Sequence, residues 1–189
     1  MAVLLGPAGI GILGLFNSTI VLISSLTNFG LGISGVKDIA AANETKNTKR
    51  ISKIVGVVKK LVWFTGIFGA LITLVLSSWL SEIAFGSSEY TMAFIWLSIT
   101  VLLKQLASGQ FVILQGLRRL KDLAKANMIG SALGLIVSVP LYYYLRLEGI
   151  VPGLIITAVF TYLVAQYFGN KVKIEKAKIS TEQLRIEGK

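Results

Sequence analysis

The sequence predicts an all-α protein: a polytopic bundle of about five transmembrane helices, with its N-terminus outside and its C-terminus in the cytoplasm. Two observations carry that expectation. Of 189 residues, 54% are hydrophobic and only 15% are charged, where a water-soluble domain carries about a quarter charged. The basic residues, moreover, fall in short clusters between long apolar runs, which is the patterning of loops between spans. The net charge of +10 is therefore read as a cytoplasmic rim, and nucleic acid is not an expected partner.

Crossing the hydrocarbon core takes about 20 mostly apolar residues. Five stretches meet or approach that length: residues 7–36, 61–80, 91–114, 127–145 and 150–168. The first is longer than a membrane requires. Pro7 among Gly6, Gly9, Gly11 and Gly14 predicts a bent start, with the proline placed where its missing N–H is no loss. The third is interrupted by Lys104 and Gln105. Residues 37–60 and 115–126 are expected as cytoplasmic loops and 169–189 as a cytoplasmic tail. No loop is long enough for a separate domain, so 1–189 is one transmembrane domain.

Direction follows from the cations. Seven Lys and Arg lie in Lys37 to Lys60, five in Lys104 to Lys125 and six after Phe168, which leaves only Arg146 of the 19 for the alternate connections. Trp79, Tyr90 and the run Tyr142, Tyr143, Tyr144 fall at the outer interface of this topology, and Trp63 and Tyr167 at the inner one. Within the first basic segment Ile51, Ile54, Val55 and Val58 recur at helical spacing opposite Lys49, Arg50, Lys53 and Lys60. This predicts an amphipathic helix resting on anionic headgroups before the chain turns into the second span.

The sequence contains neither Cys nor His, which removes disulfides, thiolate and imidazole metal sites and the common nucleophile–base pairs. Its start lacks the basic n-region of a secretory signal. No enzyme activity and no cofactor or metal are expected.

Polar side chains inside spans turn toward other helices or a wet cavity. On a helical wheel Asn17, Ser24, Asn28 and Gly35 fall within about 40° of one another. Two roles fit this face: bridging neighbouring helices, or lining a translocation cavity. In the third span Thr100, Lys104, Ser108 and Gln115 fall within about 80°, with Gln105 further round, and Val101 and Phe111 share that sector, so the stripe is not purely polar. A lysine near the bilayer centre costs about 2.5 to 3.5 kcal/mol. Either Lys104 snorkels to the inner interface, or it offers a cation to an anionic substrate. No carboxylate occurs within a span, so a carboxylate proton relay is not expected.

Two segments carry a resemblance: LLGPAGIGILGLFNSTIVLISSLTNFGLGISGVKDIA from Leu4 to Ala40, and LQGLRRLKDLAKANMIGSALGLIVSVPLYYYLRLEGIVPGLI from Leu114 to Ile155. Together they resemble the bacterial O-antigen translocases, lipid-linked oligosaccharide flippases of the multidrug/oligosaccharidyl-lipid/polysaccharide superfamily. The resemblance implies a transporter of two six-helix lobes around a central cavity, working by alternating access in the bacterial inner membrane. The implied substrate is an undecaprenyl-diphosphate-linked oligosaccharide repeat unit, moved from inner to outer leaflet for lipopolysaccharide or surface polysaccharide. Membrane lipid and polysaccharide assembly proteins are the implied partners. The chain corresponds to helices two to six of the first lobe, which makes a fragment of a longer protein the expectation. A multidrug or cation antiporter, an integral-membrane polysaccharide polymerase or transferase, and a structural subunit of a larger complex are the competing readings.

Overall fold

The computed structural model describes residues 2–45 and 47–171, and all regular structure among them is helical. The helices are α1 (Ala2–Thr27), α2 (Leu31–Glu44), α3 (Thr48–Val75), α4 (Ser77–Phe85), α5 (Thr91–Gly116), α6 (Leu120–Leu145) and α7 (Ile150–Asn170), with short 3₁₀ turns at Ser88–Tyr90 and Arg146–Gly149. Four stretches are long and apolar enough to cross a membrane: Leu5–Thr27, Thr48–Val75, Ser88–Gly116 and Leu120–Asn170. The last folds back at Arg146–Gly149 into the antiparallel pair α6 and α7, with Gly130 against Thr161 and Gly134 against Thr157. The chain is a polytopic helical membrane protein.

The stretch containing α5 is the pillar of the bundle: 61% of its apolar window is buried, against 22% for that of α1. The α1–α2 pair runs alongside α5 in one constant register, Asn28 meeting Gln105, Gly35 meeting Val112 and Ile39 meeting Gly116. The antiparallel α3 lies beside it, with Val62 on Gly109 and Gly66 on Gln105. Lipid tails are as apolar as leucine, so such seams depend on close van der Waals packing and interhelical hydrogen bonds, and small residues let the backbones approach.

Several sequence expectations are corrected. The first span is not one helix, because Phe29 (φ 46°) and Gly30 (φ 72°) break it between α1 and α2. The bent start is present: Gly6, at φ 69°, sits before Pro7, where the helical region is disfavoured for the preceding residue. The expected loop 37–60 is almost wholly helical, divided between α2 and the beginning of α3. Its apolar stripe does not rest on headgroups. Ile51, Val55 and Val58 join Ile39 and Ala42 of α2 and Val112 and Ile113 of α5 in one buried cluster. A neighbouring helix satisfies an amphipathic stripe as well as a membrane surface does, and periodicity cannot tell them apart. The second span begins at Thr48 and ends at Val75, after which α4 takes the last residues expected in that span and the first beyond it. The expected cytoplasmic loop 115–126 shrinks to a tight turn, α6 beginning at Leu120. There Arg118 pairs with Glu44 at 2.7 Å and fastens the end of α2 to the α5–α6 corner. Both side chains are largely exposed, so the pair adds little stability. Of the expected tail, 172–189 lies outside the described residues.

At the other end Phe16 packs on Phe85, Tyr90 and Phe94 with ring centroids 5.0, 6.0 and 5.4 Å away. Ile20, Leu97, Tyr142 and Ile150 complete this cluster. It knits α1, α4, α5, α6 and α7 into an aromatic plug.

Two predictions follow from these seams. Gly109→Ala places a methyl 2.7 Å from Val62 Cγ1 and should destabilise the bundle by about 1–3 kcal/mol. Gly56→Ala meets open space and should stabilise it by roughly 0.5–1 kcal/mol; unfolding in mixed micelles measures both. The charge pattern further predicts that Lys49→Cys and Glu89→Cys, each the sole thiol of its variant, react with an impermeant maleimide from opposite faces of oriented vesicles.

Candidate functional site

The polar residues of α1 and α5 meet inside the bundle. Lys104 lies midway along α5, and its side chain leans toward the helix N-terminus, as helical side chains do. That carries its ammonium to Asn17, whose Oδ1 accepts at 3.4 Å. Asn17 directly follows Phe16, so the charge is held at the inner edge of the aromatic plug. Among the described residues no carboxylate pairs with it.

Further inward, Gln105 is buried. Its Nε2 donates to Asn28 Oδ1 on α1 and to Thr65 Oγ1 on α3, both at 3.0 Å. One side chain thus joins three helices. Beside this junction Thr27 donates to the Ile23 carbonyl at 2.9 Å, leaving its hydroxyl against Gly69 of α3. Two buried hydroxyls nearby, Ser24 Oγ and Thr100 Oγ1, have no protein partner.

Burial along the α5 stripe defines the shape. Thr100 is fully buried, Lys104 and Ser108 are half-buried and Gln115 is exposed. On the helical wheel this stripe falls between the side of α5 covered by α1 and α2 and the side covered by α6 and α7. Among the described residues α2 packs on α3 and α5 and forms no seam with α7. The stripe thus runs along the gap between α2 and α7, buried beside the plug at Thr100 and exposed at Gln115, and this gap is the candidate cleft. Helix α5 itself runs on to Gly116 without interruption at Lys104.

The structure therefore separates the sequence candidates into two groups. Asn17 with Lys104, and Asn28 with Gln105, form direct bridges between helices. Ser24 and Thr100 lie buried beside them, Ser108 lies further along the cleft, and Gln115 stands apart at its mouth. Gly35, on the far side of the α1–α2 break, packs on Val112 and Val58. Thr65, which completes the Gln105 junction, and Thr27 were missed by sequence reasoning. A threonine in an apolar run gives no signal, since its hydroxyl can bond to its own helix.

The family described as Polysaccharide biosynthesis protein matches residues 1–185 of the chain. The chain belongs to that family. Its role therefore lies in polysaccharide biosynthesis, and the cleft is to be understood in that setting. Neither a curated protein nor a solved structure matches the chain.

The three-way bond at Gln105 should be measurable. Asn28→Leu and Gln105→Leu should each destabilise the bundle, with a double-mutant coupling of about 0.6 to 1.7 kcal/mol, the range of interhelical hydrogen bonds in lipid. Additive effects would mean that the bond contributes nothing.

Proposed function

We propose that this polysaccharide biosynthesis family member forms part of a transporter that flips a lipid-linked oligosaccharide from the inner to the outer leaflet. The observation that carries the reading is Lys104: a half-buried cation midway along a spanning helix, held by one amide oxygen at 3.4 Å. At such a depth a lysine is costly unless something anionic visits it. A diphosphate joining lipid to sugar supplies that charge, and its attraction to an ammonium strengthens as water is excluded. Asn17 and Ser108 add amide and hydroxyl groups along the same cleft, suited to hydrogen bonding with phosphate or sugar oxygens, and the Ser24 and Thr100 hydroxyls lie buried beside it.

In this reading the cleft opens to the cytoplasm, where the lipid-linked sugar is made, and the aromatic plug bars the outward path. Release outward requires α1 to move relative to α5, breaking the Lys104–Asn17 contact. The substrate is an undecaprenyl-diphosphate-linked O-antigen or related repeat unit, and the membrane is the bacterial inner membrane. The activity is translocation rather than group transfer: a sequence without His or Cys lacks the usual nucleophile–base pairs. The carboxylates within the described spans, Glu89, Asp122 and Glu148, all lie at helix ends or in the α6–α7 turn, which disfavours an antiporter driven by a mid-membrane carboxylate in this half.

Complementation of a translocase-deficient strain with the complete reading frame tests the proposal. The unaltered protein should restore surface polysaccharide. Lys104→Ala should reduce it by about tenfold or more at equal membrane abundance, a loss of at least about 1.4 kcal/mol, while Lys104→Arg retains most of it. Full activity of Lys104→Ala would remove the lysine from the pathway. Failure of the well-inserted unaltered protein would overturn translocation of that glycan.

A further inference from the structure

A second polar cleft lies on the opposite side of α5 from Lys104. Helices α3 and α7 both flank α5 but form no seam with each other among the described residues. The gap between them has a volume of about 140 Å³. Its walls carry Lys59 and Trp63 from α3 and Tyr162, Gln166 and Asn170 from α7, and Gln110 of α5 contributes to its floor. Every one of these six side chains can donate a hydrogen bond. None bonds to another side chain or ion-pairs among the described residues, and the lining contains no carboxylate. A cleft of free donors around a lysine favours a ligand with acceptor oxygens and negative charge.

Two further features narrow the ligand. Gln110 Oε1 is buried without a partner, beside Gly169, and a turn of this amide into the cleft would let a ligand donor satisfy it. The cleft lies near the end of the bundle that bears Lys60, Arg118, Arg119 and Lys171, and Trp63 and Tyr167 stand exposed at that level. Tryptophan, tyrosine and lysine together at one depth mark a headgroup zone. On the neighbouring face of α7 an apolar groove of about 390 Å³, lined by Leu163, Phe160 and Leu133, leads from Phe168 toward the middle of the helix. It can receive an acyl chain.

We propose that the α3–α5–α7 cleft binds the phosphodiester headgroup of an anionic, hydroxyl-bearing phospholipid of the phosphatidylglycerol type in the cytoplasmic leaflet. The phosphate faces Lys59, Trp63 Nε1 and the Gln166 and Asn170 amides, and a headgroup hydroxyl donates to Gln110. This site is distinct from the Lys104 cleft and does not depend on the transport reading. A lipid wedged between α3 and α7 would brace two helices that form no seam with each other among the described residues.

Native mass spectrometry of the delipidated 189-residue chain in detergent, titrated with phosphatidylglycerol, phosphatidylcholine or inorganic phosphate, tests it. One phosphatidylglycerol should be retained per chain with about fivefold or greater preference over phosphatidylcholine, the contribution of one lysine near an anionic headgroup. Lys59→Gln should abolish the preference and Lys59→Arg should keep it. A second readout does not depend on altering Lys59. With Trp79→Phe and Trp96→Phe, the emission of Trp63 should shift on adding phosphatidylglycerol and not on adding phosphatidylcholine. Equal retention of the two lipids, an unchanged preference in Lys59→Gln or a silent Trp63 would overturn the site. Displacement of the lipid by millimolar phosphate alone would overturn the assignment to a lipid and leave a free-phosphate site.

Discussion

In a bilayer the hydrophobic effect does not press helices together, so the bundle depends on what α5 presents to its neighbours. Gln105 is the pivotal group: buried, with no water to turn to, it donates to Asn28 and Thr65 at once and ties α1 and α3 to one point of α5. An amide left unpaired in hydrocarbon would cost several kcal/mol. The junction therefore selects one register as well as adding stability. That register, Asn28 on Gln105, is the one in which Gly35 meets Val112 and Gly116 meets Ile39. The break at Phe29 and Gly30 comes immediately after the bond and lets α2 follow α5 inward.

The same helix divides the interior in two. Outward of Lys104 the contacts are aromatic and aliphatic, with Phe16, Phe94 and Leu97 almost wholly buried. Inward of it the α5 stripe becomes progressively more exposed, from half-buried Ser108 and Phe111 to Gln115. Lys104 stands at the boundary with its ammonium turned toward the plug. A charge there is poorly placed for snorkelling to the inner interface, because its side chain leans the opposite way. This contrast connects the packing of the bundle to the proposed translocation of a charged headgroup.

The helical membrane class was legible because lipid imposes a strict demand on composition, and 54% hydrophobic with 15% charged meets it. The polar faces were legible in part. The wheel placed Asn17 and Asn28 on one side of the first span and Lys104 on a stripe of the third with Gln105 further round, and the structure brings the two helices together through these residues. Helix ends in the basic regions were not legible. The stripe Ile51, Val55, Val58 has the same period whether it meets lipid or α2, and only the position of Ile39 and Ala42 decides. The break at Phe29 was hidden for a related reason: Gly30 carries no local cue that it takes φ 72° while Gly32 and Gly35 just after it stay helical. Thr65 was beyond reach because its role exists only when Gln105 faces it across two helices.

The central claim is that the Lys104 side of α5 lines a water-accessible cleft at membrane depth. Because the sequence has no cysteine, single-thiol variants report this directly in intact membranes through their rate of reaction with a small charged thiosulfonate. Lys104→Cys and Ser108→Cys should react far faster than Leu26→Cys, which is 68% exposed on the side of α1 opposite Asn17 and Asn28. Reaction at positions 104 and 108 no faster than at Leu26 would mean that the cleft is dry, and would contradict the account of the site.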